Sequence, residues 1–129
     1  MNGDAEGPQL RFASSVESRD GAEIAIVALD GELDLGVLEV LEEAIGQQPD
    51  DQASLVLDLS GLSFVDSAGI HALVVAREGL EESGTASALV VTPGSNVERI
   101  LDMTGLLERL ASHPDRDSAM AAVASAPDD

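Results

Sequence analysis

Leu55-Val56-Leu57-Asp58-Leu59-Ser60-Gly61-Leu62-Ser63-Phe64-Val65-Asp66-Ser67-Ala68-Gly69-Ile70 is the stretch on which the reading of this chain turns. Its first five residues form a nearly continuous apolar run, as expected of a central strand buried on both faces. From Asp66 onward the spacing changes. Ile70, Leu73, Val74 and Leu80 fall at helical intervals, Ala72, Val75 and Ala76 widen the stripe, and Ser83-Gly84 closes it. The change predicts a strand that runs through a loop into a helix. Ser67 then sits near the carboxyl end of a central strand and in the first turn of a helix, where ligand sites of open α/β sheets gather. Asp66 is the natural N-cap. Ala68 and Gly69 leave the space beside the hydroxyl open, and free amides at the positive end of a helix dipole tolerate a phosphate well.

Outward from this unit the same reading continues. Leu10 and Phe12 alternate with polar neighbours, Asp20-Gly21 is a turn signal, and Ile24 to Leu29 is a second β-like run ending at Asp30-Gly31. Together these predict a hairpin. Asp34 caps a helix whose stripe is Val37, Leu38, Leu41, Ala44 and Ile45, with Gly46 as its stop. Downstream, Ala88 to Val91 is another buried strand and Val97 to Met103 a helical segment that turns at Thr104-Gly105. Leu106 to Leu110 and Ser118 to Val123 are short terminal elements, the latter a helix begun near Pro114-Asp115. The predicted architecture is α/β: a single domain with a mixed four- to five-stranded sheet, parallel at its centre with an antiparallel N-terminal hairpin, and about four helices. Residues 1–8 and 125–129 read as short disordered tails around a domain spanning 9–124.

Composition narrows the function. Twenty-five carboxylates face six basic residues, a net charge of −19. Such a surface repels nucleic acid phosphates and anionic lipid headgroups, so neither nucleic acid nor membrane is expected as a partner. A basic protein surface is compatible with it, and so is plain solubility. All six basic residues are arginine. Without lysine there is no Walker-type phosphate lysine, no Schiff base and no lysine for a phosphoaspartate pocket. Without cysteine there is no thiol catalysis and no cysteine-ligated zinc. Phe12 and Phe64 are the only aromatics, which leaves an aliphatic core and disfavours a stacking pocket. No cofactor and no metal are expected. The acidic, glycine-bearing start lacks a secretory pattern and no apolar run approaches ~20 residues, so a cytoplasmic location is expected.

The segment from Leu57 to Ile70 resembles the STAS domain family, and in particular the bacterial anti-sigma-factor antagonists. Their motif is a hydrophobic strand ending in Asp, then Leu-Ser-x-Leu-x-Phe-x-Asp-Ser-x-Gly. Asp30-Gly31-Glu32-Leu33-Asp34 resembles the family's loop before its first helix, and Asp102-Met103-Thr104-Gly105-Leu106 its late turn. The three blocks stand in family order between Leu10 and Val123. The resemblance implies a partner-switching regulator of transcription rather than an enzyme. Its unphosphorylated form would bind an anti-sigma factor and free the sigma factor. The anti-sigma factor would also be the serine kinase that phosphorylates Ser67, and a metal-dependent serine/threonine phosphatase would reverse this. Asp34, Asp66, Ser67, Ala68, Gly69, Thr104 and Gly105 are the partner-binding residues it implies. Ala68 departs from the many relatives that carry a second hydroxyl residue there.

Plainer readings stand beside these. Asp34 and Asp66 are helix caps first, and Thr104-Gly105 is a turn. Asp58 is either a carboxylate beneath the serine segment or the end of the buried stretch. His71 and His113, lacking a third ligand at metal spacing, read as structural. Two other functions use the same residues: an adaptor subunit of a sensor or transport assembly that is never phosphorylated, and a small serine hydrolase built on Val65-Asp66-Ser67-Ala68-Gly69. The hydrolase lacks the first glycine of a nucleophile elbow and needs a converging histidine and acid.

Overall fold

The computed structural model describes residues 10–33 and 54–124. Five strands and three helices occur among them: β1 (Leu10–Arg19), β2 (Ala22–Leu33), β3 (Ser54–Val65), α1 (Ser67–Glu82), β4 (Ala86–Val90), α2 (Asn96–Met103), β5 (Ser112–His113) and α3 (Arg116–Ala124). The strands form one sheet in the order β1-β2-β3-β4-β5. β1 and β2 pair antiparallel and the remaining pairs are parallel. This is the mixed sheet that the sequence predicts. The helix expected over Val37 to Ile45, and its cap Asp34, lie outside the described residues.

The hairpin closes as its turn residues require. Asp20 (φ 53°) and Gly21 (φ 83°) both adopt the left-handed region, the demand of a two-residue turn whose twist matches the strands. β2 does not stop at Asp30-Gly31; it continues to Leu33. β3 likewise runs on from Leu59 to Val65, so the segment expected as a loop before Ser67 is strand. The two extensions pair with each other, and β3 gains a residue on β2 at two places: Ala28 faces Asp58 but Asp30 faces Gly61, and Gly31 faces Leu62 but Glu32 faces Phe64. Such bulges bend the strand and increase its twist. At the first of them the two backbones approach closely. A Cβ on Gly61 would lie 2.8 Å from the Leu29 carbonyl oxygen and 2.9 Å from Asp30 Oδ1.

Alternation along β3 sorts the core into two layers. Leu55, Leu57 and Leu59 join Leu73 and Leu80 of α1 and Val97 and Leu101 of α2 on one face. Val56 joins Ile24, Ile26, Ala88 and Val90 under Ala119, Met120 and Val123 of α3 on the other. The nearly unbroken apolar run in β3 follows from this double covering. Each fully buried leucine contributes roughly 2 kcal/mol, so Leu57, Leu73, Leu89 and Leu101 anchor the layers.

Asp58 points to the α3 side and fits neither alternative: the buried run continues through Leu59, and the carboxylate lies on the face opposite the helix that begins at Ser67. Its Oδ2 accepts from Arg116 Nε at 2.6 Å, and its Oδ1 accepts from the Ser60 amide at 2.9 Å. The carboxylate side chain is 7% exposed, so it is a buried anion tying the middle of β3 to the first residue of α3. Burial pushes its pKa upward, but the Ser60 hydrogen bonds and the Arg116 guanidinium outweigh that and leave it below the ordinary carboxylate range. A carboxyl whose folded pKa is depressed stabilises the fold above its unfolded pKa and loses that contribution as pH falls through the folded value.

Two expectations follow. Arg116→Ala leaves a buried charge without its cation and should cost about 1–3 kcal/mol in urea unfolding, discounted because the arginine is 42% exposed. The variant should also begin acid unfolding at higher pH than the parent chain. Gly61→Ala should cost about 1–3 kcal/mol, because a backbone carbonyl has to give way; an unchanged unfolding midpoint would show that the bulge relaxes freely.

Candidate functional site

The paired extensions of β2 and β3 deliver the candidate site. Leu33 faces Val65 across the parallel register. The end of β2 therefore lies beside the place where β3 hands over to Asp66 and Ser67. Two blocks far apart in the sequence, Asp30–Leu33 and Leu62–Val65, become neighbours through one strand pair. Ser63 reinforces the pairing, its Oγ donating to the Gly31 carbonyl at 3.2 Å.

Asp66 has an extended backbone (φ −105°, ψ −176°), and its Oδ1 accepts from the Gly69 amide at 2.8 Å. Its carbonyl accepts from the Ile70 amide at 2.9 Å, the first rung of α1. Asp66 is thus the N-cap that the sequence predicts. Ser67 is the first helical residue and is exposed; Ala68 is half-buried and Gly69 buried. Among the described residues the Ser67 hydroxyl makes no hydrogen bond. It stands at the positive end of a sixteen-residue helix whose first turn contains no acidic residue after the cap. A group attached to its oxygen would meet solvent and the unpaired amides of the first turn.

Thr104 and Gly105 cap the opposite end of a different helix. Thr104 Oγ1 donates to the carbonyls of Ile100 and Leu101 at 3.0 and 3.1 Å, and its amide to Ile100. Gly105 (φ 74°) takes the left-handed conformation, and the Leu106 amide returns to the Leu101 carbonyl at 2.8 Å. This is a glycine C-cap. No hydrogen bond links this cap to Asp66–Gly69 among the described residues. The structure therefore joins the Asp30–Leu33 block to the Ser67 segment and gives Thr104-Gly105 a capping role of its own.

Three large apolar side chains stand in solvent on these elements: Phe64 (41% exposed) three residues before Ser67, Val75 (49%) on α1 and Met103 (78%) at the end of α2. Sequence periodicity counts Val75 toward the buried stripe of α1, whereas the structure leaves it outside. Phe64 escapes notice for a related reason. The second bulge turns both Ser63 and Phe64 outward between buried Leu62 and Val65, which simple alternation does not foresee.

Among the described residues no group of three or more metal-ligating side chains gathers, and no helix is long and apolar enough to cross a membrane. His71 is exposed on α1 and His113 belongs to β5; neither hydrogen-bonds to Ser67. Asp66→Ala should cost about 1 kcal/mol in urea unfolding through loss of the cap, and Asp66→Asn should recover most of it. Equal costs for both would show that charge rather than capping matters.

Residues 14–119 match the STAS domain family. Over 84 residues the chain is 36% identical to the anti-sigma-F factor antagonist RsfB of Mycobacterium tuberculosis, covering 64% of this chain and 67% of that protein. Its fold resembles the crystal structure of an anti-sigma factor antagonist from Mycobacterium paratuberculosis, with a TM-score of 0.71 and 31% identity over 89% of this chain and 96% of the other. Murine Slc26a9, an anion transporter, shares the fold alone: TM-score 0.70 and 20% identity, covering 89% of this chain and 22% of the transporter. With the family match spanning most of its length, the chain belongs to the STAS domain family.

Proposed function

We propose that this chain is an anti-sigma-factor antagonist that works by partner switching, with Ser67 as the phosphorylated residue. Its unphosphorylated form binds an anti-sigma factor that is also a serine kinase, and so releases a sigma factor. Phosphorylation of Ser67 ends that binding, and a metal-dependent serine/threonine phosphatase restores it. The observation that carries the reading is the exposed Ser67 hydroxyl, unbonded among the described residues, on the first turn of the Asp66-capped helix. The named relatives, antagonists by their descriptions, support the function class. They are regulators rather than catalysts, and this chain is a binding protein, not an enzyme.

The physical basis of the switch is local. A phosphate adds roughly −1.5 to −2 charges and three acceptor oxygens. At the first helical position it costs α1 no hydrogen bond, because the amide there has no intrahelical acceptor. It does change what a partner meets: a small neutral hydroxyl flanked by Asp66, Ala68 and Gly69 becomes a bulky dianion beside a carboxylate. Like-charge contact and lost fit at an interface cost several kcal/mol, enough to release a partner without reshaping the fold. Asp34, Thr104 and Gly105 complete the proposed partner face. Exposed Phe64 adds apolar area next to the serine. The overall charge of −19 suits a partner with a basic docking surface.

The test is incubation with purified anti-sigma kinases and ATP, followed by mass mapping and binding measurements. Phosphate should appear on Ser67, Ser67→Ala should retain kinase binding, and Ser67→Asp should weaken it by about 100-fold or more. Tight binding without modification of Ser67 would instead support the adaptor reading. Absence of both binding and modification with every such kinase would defeat the antagonist reading.

A further inference from the structure

β1 closes one side of the sheet and presents an open edge. Among the described residues no strand pairs with its outer side. Ala13 to Ser18 are all exposed, including Val16 at 51%. The strand is ten residues long and contains neither proline nor glycine. Open edges of this length are templates for further pairing.

The turn determines which backbone groups are available. A two-residue turn makes Arg19 and Ala22 its hydrogen-bonded closing pair, so odd-numbered residues of β1 bond to β2. Amides and carbonyls of Phe12, Ser14, Val16 and Ser18 then face outward. A second β1 related by a two-fold axis pairs residues whose numbers have a constant sum, and outward groups meet outward groups only when that sum is even. A sum of 28 places Arg11 opposite Glu17, Phe12 opposite Val16, Ala13 opposite Ser15, and Ser14 opposite itself. Shifting by one step to 30 sets Arg11 against Arg19, and shifting to 26 leaves both Arg11 and Phe12 opposite serines.

The charges of β1 are complementary to those of a second copy. The strand carries Arg11, Glu17 and Arg19, and its two arginines pair within the chain with Asp30 and Asp117. Glu17 has no ion pair among the described residues. Arg11 is already bound to Asp30 of β2, and its five-donor guanidinium can span both carboxylates. The exposed Val16 gains the half-buried Phe12 ring of the other copy as cover. We propose that two copies of this chain pair antiparallel through their β1 edges about a two-fold axis at Ser14, joining the two sheets into one. Such an isologous contact uses both open edges and closes.

The chain has no cysteine, so single-cysteine variants of the full chain report the register. Hydrogen-bonded antiparallel partners have Cα atoms about 5.5 Å apart, within disulfide range, whereas diagonal neighbours stand about 7–8 Å apart. Under mild oxidation Ser14→Cys should give about tenfold more covalent dimer than Ala13→Cys or Ser15→Cys. By sedimentation the parent chain should show a two-chain mass, more fully in about 1 M salt than in about 0.1 M, because screening relieves repulsion between two strongly acidic bodies. Ser14→Pro removes an outward amide and Glu17→Arg opposes two arginines; each should return the mass to one chain. Retention of the native circular dichroism by Glu17→Arg ensures that the loss is not unfolding. A one-chain mass for the parent in both salts, a maximum cross-link at residue 13 or 15, or a Glu17→Arg dimer would each overturn the proposal.

Discussion

At Gly61 the backbone of β3 comes so near the Leu29 carbonyl and Asp30 that a single added carbon has no room. Much of the candidate site depends on that approach. It lets β3 stay paired with β2 through a bulge instead of peeling away, and the pairing continues to Leu33 and Val65. Were the strands to separate at Ser60, the residues leading to Ser67 would form a loop with its own conformational entropy to lose on meeting a partner. As part of the sheet they are already ordered, and Ser67 is displayed from a fixed platform.

The two-layered core serves the same end. α1 is held by Leu73 and Leu80 against strands that are themselves backed by α3, so the helix bearing Ser67 rests on a sheet supported from behind. The ion pair between Asp58 and Arg116 adds a polar tie on the rear face. Its environment is asymmetric, with the carboxylate buried and the guanidinium partly in water. That arrangement keeps much of the cation's hydration while the Ser60 amide shares in satisfying the anion.

What the sequence made legible follows the strength of its physical signals. The apolar run of β3, the Asp66 cap, the Asp20-Gly21 turn, the helix α1 and the helical segment from Val97 to Met103 are signalled locally, and each appears where the residues predict it. The strand extensions were not legible. Ser60, Gly61 and Ser63 look like loop residues, and only pairing with β2 makes them strand. β5, two residues long, has no periodicity to detect, and its pairing to Leu89 and Val90 is decided by tertiary context. Asp58 could not be assigned because its partner lies 58 residues away, on a helix that covers the other face of the sheet. At the candidate site, Ser67 was singled out from its neighbours and the family motif together, while the exposure of Phe64 and Val75 was hidden by rules of alternation that bulges and helix edges break.

The position of Ser67 as the first residue of α1 bears on how such a protein can change over time. Helix stability here resides in the carboxylate of Asp66, in the amide of Gly69 and in the leucines further along. The serine side chain contributes to none of these. Natural selection can therefore act on the serine and its surroundings for what this surface recognises while leaving the fold's thermodynamics nearly untouched. Duplicate copies of such a chain would be free to diverge in which partner they answer to long before they diverged in shape.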